Sequence, residues 1–214
     1  MKRTVLSIMM VTVVLTVSIA QEKRYGIERA ILKKNSVVES GDMKQTISSI
    51  QYFDDYGVKE SAESIMNVAG QSFTILTMTK DGYAYSANMT TKQGSKIKMA
   101  AMMDDFKTVN YLNITDEVKN KYQIEEKGNE KFLGKDCKQY DLIVTVQGQS
   151  LKVAVWVWQG LPLKSSMTVV GNALTISSTT ITEEVTEIQE GVAIEKAKFE
   201  LPEGINFADV TPQM

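Results

Sequence analysis

The stretch from residue 131 to 167, KFLGKDCKQYDLIVTVQGQSLKVAVWVWQGLPLKSSM, constrains the fold more than any other part of the chain. Residues 138–147 and 150–158 are rich in β-branched and aromatic side chains, which favour an extended backbone. The first link, Gly148-Gln149, is two residues long, and the second, Gln159 to Pro162, contains Gly and Pro. No helical crossover fits into links this short, so the stretch predicts an antiparallel meander.

The rest of the chain predicts more strands on both sides of this meander. They cover residues 26–39, 43–53, 58–66, 72–79, 83–89, 123–131 and 174–182, the last with an extension over 183–189. A helix over residues 27–34 is an alternative for the first of them. The charged run 58–66 is expected at the rim of the sheet or facing solvent. With roughly nine to eleven strands, the pattern predicts a mainly β fold.

The hydrophobic period changes in the middle of the chain. Met99, Met102, Met103 and Phe106 are spaced at i, i+3, i+4 and i+7, which places them on one face of a helix. Ser95 is a possible N-cap for this helix. Three Met side chains on one stripe favour a lid that adapts to an irregular apolar partner. A core helix with flexible fillers and a thioether Cu(I) site are the alternatives.

A second, shorter helix is predicted after Thr115, which can cap its N-terminus. Asp116 and Glu117 would lie in its first turn, and Lys119 and Lys121 in its last. Both placements suit the helix dipole.

Residues 1–20 have the pattern of a secretory signal peptide. Lys2 and Arg3 precede an apolar run from Val5 to Val17, and small residues lead to a cleavage site near Ala20. The run is too short for the roughly 20 residues that span a bilayer. The sequence therefore predicts an exported, periplasmic protein with a single domain over residues 21–208 and a flexible tail over residues 209–214.

Composition excludes several classes of function. The net charge of −2 becomes −4 when Lys2 and Arg3 leave with the signal peptide, which gives no electrostatic drive toward nucleic acid. The chain has no His, which removes His-based catalysis and most zinc sites. It has one Cys, Cys137, which is expected to be buried. The sequence predicts no catalytic residues, no metal site and no cofactor, and an enzyme would need a nucleophile–base pair or a carboxylate pair assembled only by folding.

Both faces of the predicted strand 150–158 are mostly apolar. Leu151, Val153, Val155 and Val157 alternate with Lys152, Ala154, Trp156 and Trp158. A sheet with one face in water would be more polar on that side. Helices of the protein itself, a second sheet or a ligand must therefore cover the second face.

Three segments carry a resemblance to a known family. They are Phe132 to Tyr140 (FLGKDCKQY), Trp156 to Leu163 (WVWQGLPL) and Phe199 to Gly204 (FELPEG). In these segments the chain resembles the LolA/LolB-like superfamily of periplasmic lipoprotein carriers and their outer-membrane receptors. The resemblance implies a strongly curved antiparallel sheet, or incomplete β-barrel, with a mid-chain helical lid. In such a fold the concave apolar face holds acyl chains.

The function expected from these observations is a periplasmic carrier-like module that binds an apolar or lipidated ligand under a helical lid. Its predicted ligand cavity contains Met99, Met102, Met103, Phe106, Trp156 and Trp158. The expected partners are a hydrophobic ligand or acyl chain and another envelope protein, with no nucleic acid and only indirect membrane contact. The alternative is a non-catalytic structural or interaction protein of the envelope.

Overall fold

The computed structural model describes residues 23–68, 70–99, 109–146, 149–169 and 179–211. Twelve strands lie in these ranges: β1 (Ala30–Ser40), β2 (Met43–Asp54), β3 (Lys59–Val68), β4 (Gln71–Lys80), β5 (Tyr83–Asn88), β6 (Gln93–Lys98), β7 (Glu125–Phe132), β8 (Lys135–Val146), β9 (Gln149–Trp158), β10 (Leu161–Val169), β11 (Thr179–Glu190) and β12 (Asn206–Asp209). The helical elements are α1 (Asp116–Lys121) and single 3-10 turns at Asp55–Gly57 and Lys196–Phe199.

All twelve strands belong to one sheet, in the order β12-β6-β5-β4-β3-β2-β1-β11-β10-β9-β8-β7. Neighbouring strands are antiparallel except β12, which runs parallel to β6. The terminal strands β7 and β12 are not paired with each other, so the sheet does not close into a barrel. The predicted mainly β fold, a curved and incomplete barrel, is confirmed.

The central meander is confirmed as the β8–β9–β10 part of the sheet. The predicted rim position of the charged run 58–66 is wrong, because β3 lies between β2 and β4. Glu60 is buried against Arg24, and Glu63 pairs with Lys198 at 2.8 Å. Because each carboxylate has a basic partner, these acidic residues are compatible with a strand that is paired on both edges.

The region before the predicted Met helix also differs from its prediction. Ser95, the proposed N-cap, lies inside β6 and pairs with Ser86 of β5. Met99 follows this strand and its backbone N–H donates to the Gly82 carbonyl at 2.9 Å. Met102, Met103 and Phe106 lie outside the described residues.

The end of the chain is attached to the sheet further than the sequence predicts. Asp209 is the last residue of β12, and the Val210 N–H donates to the Lys96 carbonyl at 2.9 Å. The Lys98 N–H donates to the Thr211 hydroxyl at 2.9 Å. The predicted signal peptide, residues 1–20, and residues 212–214 lie outside the described residues.

Helix α1 forms as predicted. The Thr115 hydroxyl accepts from the Val118 N–H at 3.3 Å, with acidic residues in the first turn and lysines in the last. Among the described residues, no helix is long and apolar enough to cross a membrane.

Candidate ligand-binding face of the sheet

One face of the sheet, called here the helix face, carries the residues that pack under α1. Residues directly opposite each other on paired strands share a face, so register identifies it across the sheet. Val153 of β9 pairs with Met167, Met167 with Ile181, and Ile181 with Val38 of β1. Because side chains alternate along a strand, Leu32, Lys34 and Ser36 lie on the same face as Val38. The helix face therefore continues from β8 through β1 into β2–β6.

The part of the helix face on β8–β11 and the end of β1, the apolar half, is a continuous hydrophobic cluster. Its buried strand residues are Val38, Tyr140, Leu142, Leu151, Val153, Val155, Val157, Met167 and Ile181, and Tyr122 and Ile124, which lie before β7, are buried in the same cluster. Strands that alternate β-branched residues on one side bury that side efficiently. The members of this cluster are all uncharged. Two charged residues of the same strands lie on this face by register, Glu183 opposite Ser165 and Lys138 opposite Val157.

Residues 109–124, the cover segment, lie over the apolar half. Val109, Tyr111, Ile114 and Val118 pack against the cluster but are only partly buried, and α1 itself has no buried residue. The Tyr111 and Tyr140 rings are 5.7 Å apart. Backbone and amide contacts fix the ends of the segment: Ile143 N–H donates to the Tyr122 carbonyl at 2.8 Å, and the Asn110 amide donates to the Lys23 carbonyl at 3.3 Å.

The part of the helix face on β1–β6, the polar half, has a different lining. Thr77, Ser86 and Ser95 lie side by side across β4, β5 and β6, and Ser49 faces Ser64 on β2 and β3. These hydroxyl residues are half-buried, whereas Ile47, Gln51, Ala62 and Ile75 between them are buried. The polar half is thus a mixed surface of hydroxyl and apolar groups.

Two ion pairs hold the charges of the polar half. Arg24 and Glu60 are 7 % and 5 % exposed and form a salt bridge, and Glu60 also accepts a hydrogen bond from the Gln51 amide. The Lys34 ammonium lies 3.0 Å from Glu183, whose other oxygen accepts from the Ser36 hydroxyl at 3.1 Å. Burial alone would raise the pKa of Glu183, but the Lys34 charge and these hydrogen bonds lower its pKa below the ordinary value.

Arg24 reaches this site from an N-terminal strap, residues 23–28, that crosses one end of the sheet. The Arg24 N–H donates to the Tyr56 carbonyl at 2.9 Å, and the Gly26 N–H donates to the Gln159 carbonyl at 2.8 Å. A Cβ at Gly160 would come within 2.4 Å of the Arg24 carbonyl, so only glycine fits beneath the strap. The strap joins the β2–β3 and β9–β10 turns to the start of the cover segment.

The predicted cavity residues Trp156 and Trp158 lie on the opposite face of β9 from Val153 and Val155. Both are half-buried against a second cluster that contains Cys137 and Leu161 and that also includes Leu32 of the helix face, so this cluster is not confined to one face of the sheet. The Trp156 indole donates to Glu130 at 2.6 Å, and the Lys135 and Lys164 ammonium groups lie over the two rings.

Met99 is not brought next to the tryptophans along the sheet, because seven strands separate β6 from β9. That these six residues line one cavity stays a prediction.

Cys137 is fully buried and free, as the sequence predicts, and burial raises the pKa of its thiol. Within the described ranges, no group of three or more Cys, Asp or Glu side chains is arranged to hold a metal ion.

Sequence reasoning missed Lys34, Glu60 and Glu183 as residues of this site. The sequence does hold a signal for Lys34. It alternates along β1 with Leu32 and Val38, and this period-two pattern places all three on the same, inward face. Its partner could not have been found in this way, because Glu183 is 149 residues away along the chain.

Comparisons with known proteins bear on the fold. No family model matches the chain, and no curated protein sequence matches it. Solved structures do match. An uncharacterized conserved protein from Thermus thermophilus is 8% identical with a TM-score of 0.49, covering 85% of this chain and 90% of that one.

Two further matches have names that refer to lipoproteins. A putative outer membrane lipoprotein-sorting protein domain from Vibrio parahaemolyticus is 12% identical, with a TM-score of 0.38 and coverage of 80% of this chain and 89% of that one. The Mycobacterium tuberculosis lipoprotein LppX is 8% identical, with a TM-score of 0.39 and coverage of 77% and 90%. At such identities and scores the likeness is limited to the overall fold.

Proposed function

We propose that the protein is an exported, periplasmic carrier-like module that binds an apolar or lipidated ligand on the helix face of its open sheet. The observation that carries the proposal is the apolar half. It is a broad apolar cluster, made mainly of strand residues, and a short segment whose helix buries no residue of its own covers it. An acyl chain is the ligand class that such a surface accommodates, because its burial needs no hydrogen-bond partners.

The cover segment is built to separate from the sheet without unfolding it. Its ends are fixed by hydrogen bonds at Asn110 and Tyr122, whereas between them the contacts are apolar and only partly buried. Contacts of this kind are non-directional and can be replaced by contacts with a ligand chain. Regions with few buried contacts open at a lower free energy than the core does.

The predicted Met-lined helix extends this proposal. Met99, Met102, Met103 and Phe106 precede the cover segment in the chain, and we propose that they continue it as an adaptable lid. No catalytic step is part of the proposal. The helix face, rather than the face that carries Trp156, is taken as the ligand side, because the two tryptophans are already engaged with Glu130, Lys135 and Lys164.

Native mass spectrometry of the gently purified chain, with uptake of a fluorescent acylglycerol in parallel, tests the proposal. We expect a co-purifying lipid or saturable uptake at about one probe per chain. Absence of both would overturn it.

A cover variant sharpens the test. The double variant Ile114→Ala, Val118→Ala weakens the packing of the cover segment against the apolar half and should increase the rate of probe entry several-fold. The matched control Ile65→Ala removes an apolar side chain that is 49% exposed on the other face, and it should leave the entry rate unchanged. Equal effects from both variants would show that the cover segment does not gate the site.

The second candidate is an envelope protein that binds another protein without a lipid ligand. Exposed apolar side chains favour it, among them Leu112, Leu133 and Ile65 at 44–49% exposure. A chain that takes up no acyl probe but forms a stable complex with an envelope protein, abolished by Ile65→Asp, would support this candidate.

A further inference from the structure

We infer that the ligand is an amphiphile with an uncharged, hydroxyl-bearing head, bound with its chain on the apolar half and its head against the polar half. This inference rests on the proposed function and specifies its ligand class and orientation. The two halves adjoin on one face of one sheet, with β1 between them. A single molecule lying along the helix face across β1 therefore meets both surfaces.

The polar half offers hydrogen-bonding groups that suit such a head. Thr77, Ser86 and Ser95 form one row across three strands, and each is half-buried. A hydroxyl can donate or accept, so a row of them binds another hydroxyl in either sense. Polar groups at this depth are normally hydrogen-bonded, which makes the row a surface that favours a polar partner over an acyl chain.

Charge balance argues against an anionic head. The basic side chains that the described residues place on the polar half are Arg24 and Lys34, and each already faces a carboxylate. A carboxylate or phosphate brought here would lose its hydration and would compete with Glu60 or Glu183 for its cation. An ion buried without its own counter-ion is strongly disfavoured.

Unpartnered acceptors point the same way. Gln51 is 3% exposed, and its Oε1 accepts no hydrogen bond from any described residue. The Thr79 hydroxyl is likewise unpartnered, and it borders a cavity of about 10 Å³ together with Glu60 and Thr77. That volume holds about one water molecule. An amide oxygen needs a donor, which a hydroxyl head supplies and an ionised carboxylate or phosphate cannot.

Three fluorescent probes with the same acyl chain test the inference at pH 8: a monoacylglycerol, the free fatty acid and the lysophosphatidic acid. We expect the monoacylglycerol to bind about tenfold more tightly than either anion, the effect of one or two hydrogen bonds plus an avoided desolvation. Equal binding of all three, or tighter binding of an anion, would overturn the inference while leaving the carrier proposal in place. Binding of none would overturn the carrier proposal itself.

Variants locate the head. Thr77→Val removes a hydroxyl from the row with little change in shape, and it should weaken monoacylglycerol binding about fivefold while leaving fatty-acid binding unchanged. Thr74→Val is the matched control, because Thr74 is a half-buried threonine on the opposite face of the same strand. If Thr77→Val behaves like Thr74→Val for every probe, the head does not lie on this row.

Discussion

The two halves of the helix face belong to the same sheet but are built from different side chains. In the apolar half, β9 places Leu151, Val153, Val155 and Val157 inward, and all four are buried. In the polar half, β4 places Phe73, Ile75, Thr77 and Thr79 inward, and of these only Ile75 is buried. The comparison shows that a sheet can keep one continuous face and still divide it by chemistry.

The two halves of the helix face are also stabilised in different ways. Hydrophobic burial alone accounts for the apolar half, whereas the polar half has charged groups that must be neutralised in place. Both of its ion pairs are formed by residues far apart in the chain, Arg24 with Glu60 and Lys34 with Glu183. Substitutions that remove one partner should therefore affect the two halves unequally.

The largest effect is expected from Arg24→Met. It leaves Glu60 buried without its cation and removes the strap contact with Gly57, so the free energy of unfolding should fall by about 3 kcal/mol. Urea denaturation at pH 7 measures it. In the double variant with Glu60→Gln the loss should be smaller, because no charge is left unpaired. A loss in Arg24→Met below about 1 kcal/mol would mean that solvent reaches this pair.

The second-largest effect on stability is expected from exchanging valine and threonine between the two halves. Val155→Thr places a hydroxyl among purely apolar neighbours in the apolar half and should cost about 2 kcal/mol, the penalty of an unsatisfied buried polar group. Thr77→Val makes the opposite change in the half-buried row of the polar half and should alter stability by less than about 0.5 kcal/mol. Urea denaturation measures both variants. Equal losses in the free energy of unfolding would show that the two halves do not differ in their tolerance of a hydroxyl group.

Features of the fold could be predicted from the sequence where the interacting residues are close together along the chain, and not where they are far apart. The meander and the helix capped by Thr115 follow from neighbours in the sequence, and the structure confirms them. A period-two pattern also separated the two faces of β9. Signals within ten residues are sufficient for elements of this kind.

The polar half was not predicted, because its charges look like a solvated surface until their partners are known. Glu60 lies 36 residues from Arg24 in the sequence, and the acidic run around it reads as an exposed edge strand. The parallel pairing of β12 with β6 joins residues even further apart in the chain, and without it the chain end was predicted as a loose tail. In each case tertiary contacts override a local reading.

The pH dependence of stability should separate the halves as well. The pKa of Glu183 in the folded protein is lowered from its ordinary 4.5, so its contribution is fully present above that pH. It is lost as the pH falls below 4.5 and through the folded-state pKa. Protonated Glu183 leaves Lys34 without a counter-charge, which is also the state of Glu183→Gln.

Urea denaturation of wild type and Glu183→Gln between pH 7 and 3 measures this contribution. Wild type should be the more stable at pH 7, and the gap should narrow steadily as the pH falls below 4.5. The exposed Glu187→Gln on the other face serves as the control and should differ little from wild type at any pH, since exposed pairs contribute little. A gap for Glu183→Gln that stays constant with pH would show that its charge does not matter to folding.

The smallest effect concerns the turns that end the strands of each half. Asp81-Gly82 in β4–β5 and Leu133-Gly134 in β7–β8 both have positive φ at both positions, the pattern of a type I′ hairpin. Asp tolerates this conformation, whereas a leucine held at φ +50° is strained, and Leu133 is 44% exposed, so little burial offsets the strain. Leu133→Asn should therefore raise the free energy of unfolding by about 0.5–1 kcal/mol, and Asp81→Leu should lower it by a similar amount. Thermal or urea denaturation measures both. If Leu133→Asn is neutral or destabilising, the leucine side chain makes a favourable contact that outweighs its backbone strain, and the turn of the apolar half is not the weaker of the two.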